Sequence, residues 1–257
     1  AQRNGENDDF ELSPWDVNEK TGAGPDIQGR APLKPFETVG EMVSKLSEMF
    51  HEMSDDLGGK FDKLVEMDTL DLDTRKGKAP GGYQYYLEKS GVPFIFMNAA
   101  GLQGDLETMI HEAGHAFHSL YCGHLELIHD RDYPIEFAEV ASMSMELLTQ
   151  PGWNKFYDDE QANRARRTHL EGVVFLLPWI ATIDSFQHWI YSNPGHSREE
   201  RAQVWLSIRD RFGSDMDWAG HSDFRELSWQ QQGHLFGVPF YYIEYGIAQL
   251  GSLQLWK

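Results

Sequence analysis

Apolar residues along this chain recur mostly at helical spacing. Met42, Val43, Leu46, Met49 and Phe50 lie three and four apart, which predicts an amphipathic helix over 37–57, with a second short one near 61–67. Residues 71–82, DLDTRKGKAPGG, read as turns. The next stretch, YQYYLEKSGVPFIFMN, predicts two strands joined by Glu-Lys-Ser-Gly, the second a short apolar run. Helical spacing then returns: Leu106, Met109, Ile110, Ala113, Phe117 and Leu120 share one face, with Asp105 as the expected cap. A further helix is expected from Pro134, a residue favoured at a first helical position. Others are expected over about 160–191, 197–212, 222–236 and from about 239 to the end. Residues 1–35 show Gly, Pro and Asp clusters with little periodicity and are expected to form an extended arm around Trp15. The pattern as a whole predicts a mainly α-helical domain with one small β-sheet and no internal repeat.

Composition narrows the partners. The 257 residues carry a formal net charge of -19, which argues against nucleic acid and anionic membrane surfaces, since both require basic patches. No run of 18 apolar residues is present, so no membrane span is predicted. Cys122 is the sole cysteine, which rules out an internal disulfide and suits a reducing compartment. The N-terminal stretch lacks the basic and apolar regions of a signal peptide, so the expected location is cytoplasmic. A first residue of Ala rather than Met is compatible with a processed or excised piece.

The chemistry concentrates in residues 111–115, HEAGH, a match to H-E-x-x-H. On a helix whose other side is apolar, His111 and His115 stand one turn apart and can meet a single ion. Glu112 lies beside them, placed to take a proton from a water polarised by zinc and to pass it to a leaving amine. Gly114 leaves room for a close neighbour. A catalytic zinc wants three protein ligands and an open position. Downstream, Glu136, Glu139 and Glu146 share a helical face with Met143 in PIEFAEVASMSMELL. Either Glu136 or Glu139 can supply the third ligand, and spacing alone does not choose between them.

HEAGHAFH followed by FAEVASMSMELL resembles the thimet oligopeptidase and oligoendopeptidase F family of zinc metallopeptidases. LDLDTRKGKAPGGYQY and GVPFIFMNAAG are similar to that family's approach to the zinc helix. The resemblance implies a zincin-like catalytic domain with the small sheet beside the H-E-x-x-H helix, its edge strand able to pair with an extended peptide. It implies one Zn2+ per chain, held by His111, His115 and Glu139. Glu146 then becomes an orienting partner of a ligand histidine, and Glu136 a neighbour. Near the C-terminus, GHLFGVPFYYIEYG matches the family's His followed by tyrosines. That places His234 and Tyr245 as donors to the oxyanion, with Tyr242 a second candidate and Tyr241 also open. His118, His169 and His188 are read as helix-surface or satisfied core residues.

The resemblance covers about Trp15 to Trp256, without the family's large N-terminal helical half, so residues 1–257 are expected to form a single catalytic domain. The implied function is a zinc-dependent endopeptidase of the oligopeptidase type, acting on short peptides through a zinc-activated water. The alternative is a non-catalytic peptide-binding or assembly fragment that keeps the zinc site and needs a partner half. A metal-dependent hydrolase of non-peptide substrates is the third reading. An uncovered channel wall implies self-association or a complementary chain.

Overall fold

The computed structural model describes residues 30–213 and 216–257, so Trp15 and most of the expected arm lie outside the described residues. Residues 30–36 have no regular secondary structure, but Leu33 and Phe36 are buried in the core. Two helices follow, α1 (Val39–Met53) and α2 (Asp55–Glu66). Both expected helices are present, but the break between them falls at Ser54, inside the stretch 37–57 rather than after it. The Ser54 backbone N–H closes α1 on the Phe50 carbonyl, and its extended backbone lets the hydroxyl accept the Asp56 N–H that opens α2. A serine that satisfies orphan groups on both sides outweighs the continuous apolar stripe.

The sheet has three strands, β1 (Leu70–Asp73), β2 (Tyr83–Leu87) and β3 (Val92–Ala99), in the order β1-β3-β2. The expected hairpin is β2–β3, antiparallel, with Tyr85 opposite Phe94. β1 falls at the start of the segment read as turns. It pairs parallel to β3, with Leu70 opposite Ile95, and owes its conformation to that distant partner. β3 is therefore the central strand and buried along its length, whereas β2 is an edge.

Helix α3 (Gln103–Cys122) packs on the sheet through the predicted apolar face; Leu106, Met109, Ile110, Ala113 and Phe117 are buried. Asp105 lies inside its first turn rather than at the cap, and its carboxylate accepts the backbone N–H groups of Ala100 and Leu102. Helix α4 (Ile135–Leu148) begins directly after Pro134. It crosses α3 at Gly114, where a Cβ would lie 2.7 Å from Ser142 Cα and 2.8 Å from the Ala141 carbonyl oxygen. Only the missing side chain lets the two backbones come so near.

Helix α5 (Asp159–Ser192) runs for 34 residues and joins two hydrophobic clusters. Ala162 and Ala165 belong to the first, with α1, α2, the sheet and α3. Ile180, Ile183 and Phe186, beyond Pro178, belong to the second, with Trp205 and Tyr242. By length and composition α5 could cross a bilayer, a property it shares with core helices, and it packs here on α6 (Arg198–Phe212) and on the last helix. The helix expected over 222–236 is broken into α7 (Ser222–Leu227), a 3-10 turn (Ser228–Gln231) and α8 (His234–Gly237). Trp229 joins the second cluster and Gln232 is buried beneath it, which bends the chain inward. Phe240, at φ 61°, turns it again into α9 (Tyr242–Trp256). Helix α9 lies against α4 at Gly251, whose Cβ would meet Val140 Cγ2 at 2.9 Å.

A candidate metal centre facing a histidine–tyrosine wall

One turn of α3 separates His111 and His115, and their rings sit edge to face with centroids 4.8 Å apart. The close approach at Gly114 brings α4 over them. Glu139 Oε2 then lies 3.3 Å from His111 Nε2 and 3.6 Å from His115 Nε2. Tetrahedral zinc ligands, each about 2 Å from the ion, stand roughly 3.3 Å from one another. The three donor atoms all lie within 4.8 Å of one another, and two imidazoles with one carboxylate is the donor set of a catalytic zinc. The residues fit a zinc ion. Glu136, one turn earlier, instead faces Glu244 of α9, so the fold brings together Glu139 and not Glu136.

Electrostatics prepare this cluster. Burial alone would lower His111, but the Glu139 and Glu146 carboxylates reverse that and push it up to about 10. Burial and the His111 charge lower His115 to about 4. Burial would raise Glu139, yet its contacts with His111 hold it below the usual carboxylate range. In the metal-free cluster the Glu139 and Glu146 carboxylates therefore favour the imidazolium form of His111. A metal ligand must be neutral imidazole. Zinc binding at pH 8 is accordingly expected to release about one proton per ion. Calorimetric titration in buffers of differing ionisation heat will measure it; zero release would show that His111 is already neutral before the ion binds.

Glu112 is buried beside the pair and accepts the backbone N–H of Gln84 on the outer edge of β2. Burial pushes its carboxyl up to about 7, only partly offset by the His111 charge. A carboxyl poised there can both take and return a proton near neutral pH. Gln84 also donates to Ser119 Oγ at 3.2 Å, which ties β2 to α3.

Sequence reasoning placed Glu146 near a ligand histidine, and its Oε1 lies 2.6 Å from His111 Nδ1. It did not single out Ser142, whose hydroxyl lies 3.0 Å from Glu139 Oε2, or Gln84. His169 is buried and satisfied, but its partner is Glu146 itself, at 2.7 Å. His118 is half-buried and stacked on Tyr133, with Nδ1 unpartnered, and His188 is exposed beside Asp184. No periodic signal marks Gln84 or His169, because their links to the site arise only when distant elements pack.

The opposite wall comes from α8 and α9. Trp179 Nε1 donates to Gln232 Oε1 at 2.9 Å, which fixes the amide, and Gln232 Nε2 then donates to His234 Nδ1 at 2.6 Å. Since indole can only donate, His234 must carry its proton on Nε2, directed at the Tyr245 hydroxyl 3.4 Å away. Burial, then the Glu139 charge, raises Tyr245 well above the usual phenol range, so it remains a neutral donor. Tyr241 bonds to Tyr245 and also feels Glu139. Tyr242, named as the second donor candidate, is instead buried in the second cluster against Trp179.

The profile of peptidase family M3 matches residues 1–257. The chain belongs to peptidase family M3. The chromosomal oligoendopeptidase F of Lactococcus lactis subsp. cremoris is 29% identical over 141 residues, 52% of this chain and 23% of its own length. Group B oligopeptidase PepB of Streptococcus agalactiae serotype III is 27% identical over 139 residues, 54% of this chain and 22% of its own. Among solved structures, PZ peptidase A with inhibitor 2 superposes with a TM-score of 0.81 at 35% identity, over 88% of this chain and 40% of that one. A Bacillus anthracis str. Ames structure described as an oligoendopeptidase F gives 0.74 at 33% identity, over 89% and 38%. The M3 region described here thus spans well under half the length of the relatives it matches. Its fold is that of M3 peptidases: mainly helical, with one three-stranded sheet.

Proposed function

We propose that this M3 chain is the catalytic unit of a zinc-dependent oligopeptidase that hydrolyses peptide bonds in short peptides. The observation that carries this reading is the meeting of His111 Nε2, His115 Nε2 and Glu139 Oε2 with Glu112 buried alongside. These three atoms would hold the ion. When bound, zinc supplies Lewis acidity toward a scissile carbonyl and an attacking water.

The remaining steps belong to the chain's own groups. An extended peptide adds to the exposed edge of β2, where backbone hydrogen bonds give affinity with little demand on sequence. Tyr83 and Tyr85, exposed on one face of β2 itself, offer apolar contact to substrate side chains. Glu112 takes the proton of the attacking water and delivers it to the departing amine nitrogen, so the base of the first half-reaction is the acid of the second. The oxyanion that forms at the carbonyl accepts a hydrogen bond from the neutral Tyr245 phenol. The Tyr245 oxygen accepts from His234 Nε2–H, and its own hydrogen, shared with Tyr241 in the free site, is the one a substrate oxyanion would take.

The test is cleavage of a quenched fluorescent peptide set by the zinc-loaded chain. Turnover should vanish with chelator and return with Zn2+. Tyr245→Phe should lower kcat by about a hundredfold or more with little change in KM, because the bond is made chiefly in the transition state. Tyr242→Phe should stay within a few-fold of the parent. Equal loss in both variants would remove Tyr245 from the donor role. A chain that binds one zinc and cleaves nothing would support the assembly-fragment reading, in which a partner supplies the rest of the cleft.

A further inference from the structure

The Glu146 carboxylate is held at both ends. Oε1 accepts His111 Nδ1–H at 2.6 Å, and Oε2 accepts His169 Nε2–H at 2.7 Å. Its side chain is about one-fifth exposed and that of His169 is almost wholly buried. Behind them, Gln150 Nε2 donates to His169 Nδ1 at 3.0 Å, which makes that nitrogen the acceptor and leaves the proton on Nε2. Gln150 belongs to the 3-10 turn after α4, and Arg166 Nε anchors the turn by donating to the Gln150 carbonyl at 2.9 Å. Trp153, buried in the same turn, packs edge-on against the His169 ring with centroids 5.7 Å apart.

A carboxylate bonded to one imidazole can still rotate about its Cγ–Cδ bond. Bonded at both oxygens, it cannot, and the His111 ring is held with Nδ1 as donor to Glu146 and Nε2 directed to the Glu139 side. We propose that His169, braced by Gln150, is a positioning residue of the metal centre, holding Glu146 so that His111 presents Nε2 to the ion. The inference rests on the metal reading above and extends the site to a third helix, α5. Removing His169 leaves Oε2 buried without its donor. Glu146 is then free to rotate about Cγ–Cδ, and the His111 ring loses the fixed acceptor that orients it.

The experiment measures the Zn2+ dissociation constant by competition with a chromophoric chelator, alongside the metal-free melting temperature and the Co2+ absorption spectrum. His169→Leu is expected to weaken zinc about ten- to a hundredfold. His169→Gln, whose amide nitrogen reaches where Nε2 was, should recover most of that loss, and both should alter the Co2+ bands in that order. The exposed control His188→Leu should match the parent. A purely structural role would lower the metal-free melting temperature and leave the zinc constant untouched; that result overturns the proposal. So does equal weakening in the Leu and Gln variants. If His169→Leu does not fold, Gln150→Leu decides, with a several-fold weaker constant expected and an unchanged one fatal. No zinc binding by the parent sinks the metal reading along with this one, whereas tight binding by parent and variants alike sinks only this one.

Discussion

Glu112→Gln will keep its zinc and lose at least about a thousandfold in kcat, ~4 kcal/mol of barrier. The amide has nearly the shape of the acid, and Glu112 does not share the ligand atoms of His111, His115 and Glu139. What it loses is the ability to accept a proton. The buried carboxyl is pushed up to about 7, mainly by desolvation, and ordinary exposure would leave it a much weaker base. The same environment removes any nearby substitute: Glu139 and Glu146 are committed to His111. Metal content by elemental analysis and turnover on one peptide, measured on the same preparation, decide the matter. A variant that retains zinc and more than a tenth of parental kcat would transfer the proton to another group.

Gly114→Ala will damage the site without touching a single ligand. The new methyl carbon would stand 2.7 Å from Ser142 Cα, inside any tolerable contact, and both partners are backbone of packed helices. One helix must move. Overpacking of this kind costs about 1–3 kcal/mol, or roughly 2–12 °C of melting temperature in a chain of this size. The shift carries Glu139 with it, because Ser142 is the residue struck and its hydroxyl bonds the Glu139 carboxylate. Zinc affinity is expected to fall by at least about tenfold. Gly172→Ala on exposed α5, where a Cβ meets nothing within 4 Å, provides the comparison and should be neutral or slightly stabilising. Should both alanine variants bind zinc and melt alike, the α3–α4 contact does not set the site.

These two residues show what can be read before folding and what cannot. The H-E-x-x-H helix was legible because its opposite face repeats apolar residues with a period that permits one orientation only. The third ligand was not legible from physics, since Glu136 and Glu139 are three apart on one face; the crossing at Gly114 separates them, and that crossing is a tertiary fact. The tyrosines were ambiguous for a related reason. Tyr241, Tyr242 and Tyr245 are equivalent until the helix start is known, and a positive φ at Phe240 sets it. Strand β1 is four residues long and exists because β3 is beside it. His169 looked like any helical histidine, because nothing near it in sequence announces Glu146.

Residues 37–57 and 222–236 teach the complementary lesson. Both have apolar periodicity for one helix, and both break where a polar residue satisfies backbone or buried groups better than continuation would. Ser54 does so for two helix ends at once, and Gln232 for Trp179 and His234.

The crossing of α4 over α3 at Gly114, with Ser142 bonded to Glu139, bears on what the site would need from an ion. Small zinc domains are unfolded until the ion arrives, because nothing else holds their ligands together. Here the packed core and the helix crossing bring His111, His115 and Glu139 together without one, so an ion entering such a site would find its donor atoms already gathered and need not supply the free energy of folding.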